Sequence, residues 1–289
     1  SHVDLNMNVF YPEGGIAGVV DALADLARTQ GVDIETGTAV QAIRGERGAF
    51  ALETDTGVEH ADLVVSNANP AHTERTLLSP TAHERAPDDW DDRTYAPSAF
   101  MLYLGVEGDV DPLAHHSLVL PTDWDPHFER IFDRPAWPAD PAYYLSVTSK
   151  TDDTVAPDGH HAVVVLVPIA PGLDDGPEVR ERYRDFVLDD LATQTGVDLR
   201  DRIVVEESAC VSEFADRYDD PQGTALGLAH TLFQTGPFRP DRRAGPDGLY
   251  YSGAYTTPGI GMPMCLISGE RTARAVVEDA PAAASPTRR

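Results

Sequence analysis

The sequence predicts a mixed α/β chain with α+β character, built as two domains or as one large domain carrying an insertion. Three observations carry that expectation. Near the end, an apolar run at Leu249–Tyr251 meets a glycine- and proline-rich bend and then a helical pattern. Near the start, a helical stretch leads into short strand-like runs. Between these ends, strand-like runs outnumber helical ones, which points to a mostly antiparallel sheet with helical cover.

Residues Asn8 to Tyr11 read as extended and lead into Pro12-Glu13-Gly14-Gly15. From Ile16 to Gln30 the apolar residues Val19, Val20, Leu23, Leu26 and Ala27 recur on one helical face, and Gly31 closes the helix. Strands are expected at Val32–Glu35, Thr38–Arg44 and Ala49–Glu53, then a turn at Asp55-Thr56-Gly57 and a strand at Ala61–Ser66. Asn69-Pro70 reads as N-cap and first helical residue of a helix ending near Leu78.

Ala82 to Asp92 is acidic and proline-punctuated, a boundary loop. Beyond it, strands are expected at Ser98–Val106, Ser117–Leu120, Tyr143–Val147, Ala162–Ile169 and Arg202–Val211. Helices are expected at Pro177–Gln194 and Ser212–Tyr218. The last helix begins after Pro263 and runs to about Glu278, with Glu270 and Arg274 at i,i+4 spacing; Ala280–Arg289 reads as a frayed tail.

Composition narrows the function classes. The net charge is −26, and of 22 basic residues only Lys150 is a lysine. Such a surface repels nucleic acid, and the lysine-poor, acidic balance resembles proteins adapted to high salt. Two cysteines imply no disulfide framework. Leu249 to Gly269 is free of charge, but its glycines, prolines and hydroxyls argue against a membrane span.

Few local motifs suggest chemistry. His115-His116 and His160-His161 lack metal-site spacing and read as surface or loop positions, so no metal is expected. Asp152-Asp153 and Asp219-Asp220 read as solvated loop acids. Gly14-Gly15-Ile16-Ala17-Gly18 lacks the order of a dinucleotide fingerprint. The strand–glycine–helix stretch near the end is different. Glycines there let the backbone approach a ligand, and a helix N-terminus favours an electron-rich one.

Read together, the two ends resemble the carboxy-terminal part of a carotenoid (phytoene) desaturase, a branch of the FAD-dependent amine-oxidase-like superfamily. The likeness rests on Tyr11-Pro-Glu-Gly-Gly-Ile-Ala-Gly, Gly37-Thr-Ala-Val-Gln-Ala-Ile43, Ala61-Asp-Leu-Val-Val-Ser-Asn-Ala-Asn-Pro70, Gly227–Pro240 and Gly253-Ala-Tyr-Thr-Thr-Pro-Gly-Ile-Gly-Met-Pro263. These blocks run in the family's order, and the stretch from Ala82 to Glu207 carries no matching motif.

The resemblance implies part of an FAD-binding, Rossmann-like domain lacking its amino-terminal βαβ unit, plus a substrate domain with a mostly antiparallel sheet. It implies cofactor segments in residues 1–85 and 226–279, and a substrate- and membrane-facing domain in residues 86–225. Carried over, Val40 meets the adenine end of FAD, Gly253 and Ala254 lie by its pyrophosphate and ribityl chain, and Asn67 is a further cofactor-binding residue. Gly259, Ile260, Gly261, Met262 and Pro263 sit by the flavin ring. Tyr11, Gly14 and Gly15 fall beside the substrate.

The implied activity is desaturation of a linear carotene, phytoene first, on an enzyme touching the inner face of the cell membrane peripherally from the cytoplasm. Tyr95–Leu104 and Ile131–Trp137 are the apolar stretches available for membrane or polyene. A 3,4-desaturation in C50 carotenoid synthesis, a non-enzymatic prenyl-binding protein on the same fold, and an inactive fragment stay open as alternatives.

Overall fold

A computed structural model describes residues 10–82 and 87–280. In chain order its main elements are α1 (Ile16–Thr29), β1 (Val40–Arg44), β2 (Phe50–Thr54), β3 (Val58–Ala61), β4 (Val64–Ser66), α2 (Pro70–His72), β5 (Ser98–Glu107), β6 (His116–Val119), α3 (Trp124–Phe128), β7 (Tyr143–Val147), β8 (His160–Ile169), α4 (Pro177–Thr195), β9 (Ile203–Ala209), α5 (Val211–Tyr218), β10 (Leu249–Tyr251) and α6 (Met262–Asp279). The chain forms two compact units.

The first unit comprises Ser1–Gly37, Ala99–Ile169 and Asp174–Cys210. Its sheet has five strands in the order β6-β7-β8-β5-β9, with β6–β7, β7–β8 and β5–β9 antiparallel. One face is apolar because alternate residues point the same way along a strand. Tyr143, Leu145 and Val147 of β7 and Val163, Val165, Val167 and Ile169 of β8 are all buried.

Helix α4 belongs to the same core. Its Tyr183, Val187, Leu188 and Leu191 are buried, Tyr183 sets its edge on Phe100 with centroids 5.6 Å apart, and Asp190 accepts the Tyr143 hydroxyl at 2.7 Å. The stretch Tyr95–Leu104, offered above as a membrane or polyene surface, is therefore mostly interior. Tyr95, Ala96, Ala99, Phe100, Leu102 and Leu104 are buried, whereas Tyr103 is exposed.

Helix α1 forms where the apolar spacing places it, but none of its residues is buried. Val32–Glu35, read as a strand, joins no ladder, and Val32 and Ile34 stay exposed. An apolar run becomes a strand only when another backbone supplies its hydrogen bonds.

The second unit comprises Thr38–Ser98, Ala170–Leu173 and Val211–Arg289. An antiparallel meander, β1-β2-β3, covers a core of Ile43, Phe50, Leu77, Leu78, Ala244, Leu249 and Tyr251. The expected strand at Ala61–Ser66 splits into β3 and β4. Beside the meander, β4 and β10 pair in parallel, with Val64 opposite Leu249 and Ser66 opposite Tyr251. A second cluster gathers Ala71, Trp90, Tyr95, Leu228 and Tyr255.

Helix α6 lies close to β10 because its buried positions, Ser268, Thr272 and Ala275, are small. Their i, i+4, i+7 spacing makes a narrow face on one side of the helix. Two of the three are hydroxyls. Thr272 donates to the Tyr251 carbonyl at 2.9 Å, so the contact is hydrogen-bonded as well as packed.

Candidate functional site

In open sheets, ligands bind beyond the carboxyl ends of parallel strands. In the second unit those ends are Ser66 and Tyr251, and the chain leaves them as Asn67-Ala68-Asn69 and Ser252-Gly253-Ala254-Tyr255. Together with Phe214, Arg217, Tyr218, Asp219, Asp220, Ala225 and Cys265 they line a cleft of about 610 Å³.

The floor of the cleft is fixed by local bonds. Asn67 Nδ2 donates to the Ser252 carbonyl at 3.0 Å, and Gly253 N–H donates to Ser268 Oγ at 2.9 Å. Gly253 has φ +106°, and a Cβ there would stand 2.4 Å from Asn67 Nδ2. The positive φ favours glycine, and a side chain there would push the Asn67 amide off the Ser252 carbonyl.

Downstream, two arginines hold the loop. Arg239 donates to the carbonyls of Ala254 at 2.9 Å and Leu228 at 3.0 Å, and Arg242 donates to Thr257 Oγ1 at 2.9 Å. Arg239 is 4% exposed, and its Nε finds no partner among the described residues. Burial lowers its pKa from the usual value. His230 stands against Gly259 beside it, its pKa lowered by burial and then by the Arg239 charge.

One side of the cleft carries a carboxyl network. Asp220 Oδ1 accepts from Asn69 Nδ2 at 2.6 Å and from the Tyr255 hydroxyl at 2.9 Å. Burial raises the Asp220 pKa, partly offset by these two donors. The Tyr255 hydroxyl is pushed up too, by burial first and then by Asp220. Beside them, His72 Nδ1 lies 3.2 Å from the Asp219 carboxylate. Phe214 and Tyr218, stacked with centroids 6.3 Å apart, add a flat wall.

The expectation that Asp219-Asp220 and Asp152-Asp153 are simply solvated fails for one member of each pair. Asp220 is half-buried and bonded as described. Asp152, in the first unit, is 7% exposed and accepts from Gly14 N–H at 2.8 Å and from Thr154 Oγ1 at 2.6 Å. Those bonds hold its pKa below the ordinary carboxylate value. Asn69 and Tyr255 account for the first difference, and Thr154 together with the distant Gly14 for the second.

The expected site residues separate as follows. Asn67, Gly253 and Ala254 share the cleft. Val40 opens β1 in the same unit but does not line it. Gly259, Ile260 and Gly261 form the turn before α6, and Met262 and Pro263 begin that helix, whose N-terminus has no side-chain cap. Tyr11, Gly14 and Gly15 lie in the first unit, where Tyr11 sets its edge on His115 at 4.8 Å between centroids. Of the histidine pairs, His116 is exposed and bonds the Tyr144 hydroxyl at 2.6 Å; no group of three or more metal-ligating side chains occurs among the described residues.

Sequence reading missed Asn69, Asp220, Tyr255, Arg239 and His230. Asn69 was seen only as an N-cap, which it is, accepting from Ala71 N–H at 2.8 Å. The buried arginine had one available signal, the single Arg or Lys in the Gly227–Pro240 block, which has no Asp or Glu to pair with it.

The donor set fits an anionic, hydroxyl-bearing cofactor such as FAD. The cleft lies at parallel strand ends, Gly253 lines it without a side chain, and the following helix N-terminus is uncapped.

Comparison with known proteins agrees. Residues 5–277 match the family model described as flavin containing amine oxidoreductase. The chain is 61% identical over 283 residues to a carotenoid 3,4-desaturase of Haloarcula japonica, covering 96% of this chain and 57% of that protein. It is 34% identical to a zeta-carotene-forming phytoene desaturase of Myxococcus xanthus, covering 92% and 52% respectively. The chain thus spans about half the length of the curated relatives it matches.

Among solved structures, an oxidoreductase from Methanosarcina mazei superposes with a TM-score of 0.59 at 20% identity, covering 91% of this chain and 55% of that one. Putrescine oxidase superposes with a TM-score of 0.58 at 13% identity, covering 92% and 53%. These two likenesses speak to the fold alone. The chain belongs to the flavin-containing amine oxidoreductase family.

Proposed function

We propose that this chain forms part of an FAD-dependent carotenoid desaturase acting at a 3,4-position rather than on phytoene. The observation that carries the reading is the 61% identity to the Haloarcula japonica 3,4-desaturase, against 34% to the phytoene desaturase of Myxococcus xanthus. The later step therefore takes precedence over the phytoene reading suggested by the motifs.

FAD held in this cleft would supply the hydride-accepting chemistry that a carbon–carbon desaturation requires. The rest is the work of this chain. In the proposal, β4 and β10 are one half of a split nucleotide-binding sheet. Asn67, Gly253 and Ala254 hold the middle of the cofactor, and Val40 meets its adenine end through the backbone. Gly259, Ile260, Gly261, Met262 and Pro263 present the N-terminus of α6 to the ring, where helix dipoles favour negative charge by about 0.3–1 kcal/mol, and up to about 2 when partly buried. Tyr11, Gly14 and Gly15 face the substrate.

Two features of the first unit suit an apolar polyene delivered from a bilayer. A groove of about 500 Å³ on its sheet is lined chiefly by Tyr103, Val155, Pro157, Val164, Val204 and Val205. Trp124, Phe128 and Phe132 are exposed, with Trp124 stacked on Phe128 at 5.4 Å, and make a patch for peripheral membrane contact. No helix among the described residues is long and apolar enough to cross a membrane.

The test is reconstitution of the intact protein in molar KCl with FAD and a carotenoid precursor in liposomes. Each new conjugated double bond should move the visible absorption to longer wavelength. A flavin-loaded protein that leaves the spectrum unchanged would sink the activity. Colour developing from phytoene would return the phytoene reading.

A further inference from the structure

The two non-glycine residues with positive φ among the described residues are Asp219, at 52°, and Gln222, at 57°. They flank Asp220 in one turn. Positive φ costs a residue with a side chain free energy, so such positions persist where the surrounding structure enforces them and are often found at functional sites. Just beyond, Gly223 has φ +60°, and a Cβ there would stand 2.1 Å from the Val211 carbonyl oxygen. The turn is thus locked against the start of α5, and it delivers a carboxyl to the cleft.

The two oxygens of that carboxyl are unequal. Asn69 and Tyr255 both donate to Oδ1, and no protein donor reaches Oδ2 among the described residues. A half-buried carboxylate with one saturated oxygen accepts a further hydrogen bond readily, because its charge strengthens each bond it takes. Near a cofactor diphosphate, like charge would repel. A hydroxyl has no such penalty, and it donates.

We propose that Asp220 reads a sugar-type hydroxyl of the ligand held in this cleft, with Oδ2 as the acceptor and with Asn69 and Tyr255 fixing its orientation through Oδ1. The proposal rests on the FAD reading of the cleft. FAD offers two sources of the same chemistry, the ribityl chain beside the flavin and the ribose beside the adenine. Both are hydroxyl donors of the same strength, so Asp220 acts as a binding and specificity residue whichever one it meets.

The experiment measures affinity in molar KCl for the intact wild-type protein and Asp220→Asn, by quenching of flavin fluorescence. FAD, riboflavin and lumiflavin are titrated directly, and ADP by competition with FAD. Asparagine keeps the shape and an oxygen for Tyr255 but loses the charge. FAD binding should weaken about tenfold or more, the loss expected for a hydrogen bond to a charged group. A matching loss for riboflavin would assign the contact to the ribityl chain, and one for ADP to the ribose.

Lumiflavin has neither sugar, so its affinity should be unchanged. An equal loss for lumiflavin would overturn the proposal, as it would signal general damage to the cleft. Tyr255→Phe, which removes one donor from Oδ1 and leaves Oδ2, should cost less than Asp220→Asn; the reverse order would also overturn it. If wild type binds FAD and Asp220→Asn binds it equally, this inference fails while the FAD reading stands. If wild type binds no FAD, both fall together.

Discussion

At Gly223 a side chain meets main chain, and main chain cannot swing aside. Gly223→Ala should destabilise the chain by about 1–3 kcal/mol or more, read as a lower urea midpoint. Protonation acts at the same scale. His115, His127 and His230 are all held below the ordinary histidine value, with burial as the leading cause. The unfolded chain takes up protons near pH 6.5, before these folded residues do. Their stabilising contribution is complete above that pH and is lost as acid passes through their lower folded values. Urea midpoints measured across that range should fall with pH. Asp220 runs the other way, since its folded pKa is raised and ionisation opposes folding. None of this was legible locally. Asp220 meets Asn69 across 151 residues of sequence and Tyr255 across 35, and only the fold brings those donors to it.

Two helices show how far an amphipathic pattern can be trusted. The apolar spacing of α1 predicted its existence and its bounds to within a residue, yet Val20, Leu23 and Leu26 lie exposed. Helix α4 has a weaker pattern and buries Leu188 and Leu191 almost completely. Periodicity announces a helix; what covers its face is decided by tertiary structure. Leu188→Ala should therefore cost about 2–5 kcal/mol, whereas Leu23→Ala in these 289 residues should shift stability by no more than about 0.5. Chemical denaturation of the two variants checks the contrast. At α3 and the turn after it, Phe128 and Phe132 are exposed, so replacing both with serine should leave the urea midpoint nearly unchanged. The same pair should reduce sedimentation with vesicles in molar salt. Strands with a close partner, such as β7 and β8, form where the sequence places them. Val32–Glu35 had the composition without the partner.

For the molecule as a whole, a net charge of −26 sets the conditions under which these contacts hold. Self-repulsion opposes compaction, and at ~1 M salt the Debye length shrinks to about 3 Å. The melting temperature should rise steadily as KCl is raised from about 0.1 M towards molar concentrations, and a flat response would contradict this account. Fold class and family were legible in the sequence because short glycine-bearing blocks keep their order along it. The division into units was less so, since the second unit is gathered from Thr38–Ser98, Ala170–Leu173 and Val211–Arg289. That gathering has a temporal side. Asn67 and Ser252, which meet at the parallel strand pair, are 185 residues apart. On the ribosome β4 emerges long before β10 exists, so the edge it will share with β10 must wait until that strand is made. Such distant pairing makes for slow maturation, and the wait invites promiscuous strand addition. Dense negative charge on the nascent chain is well suited to keeping neighbours apart during that interval.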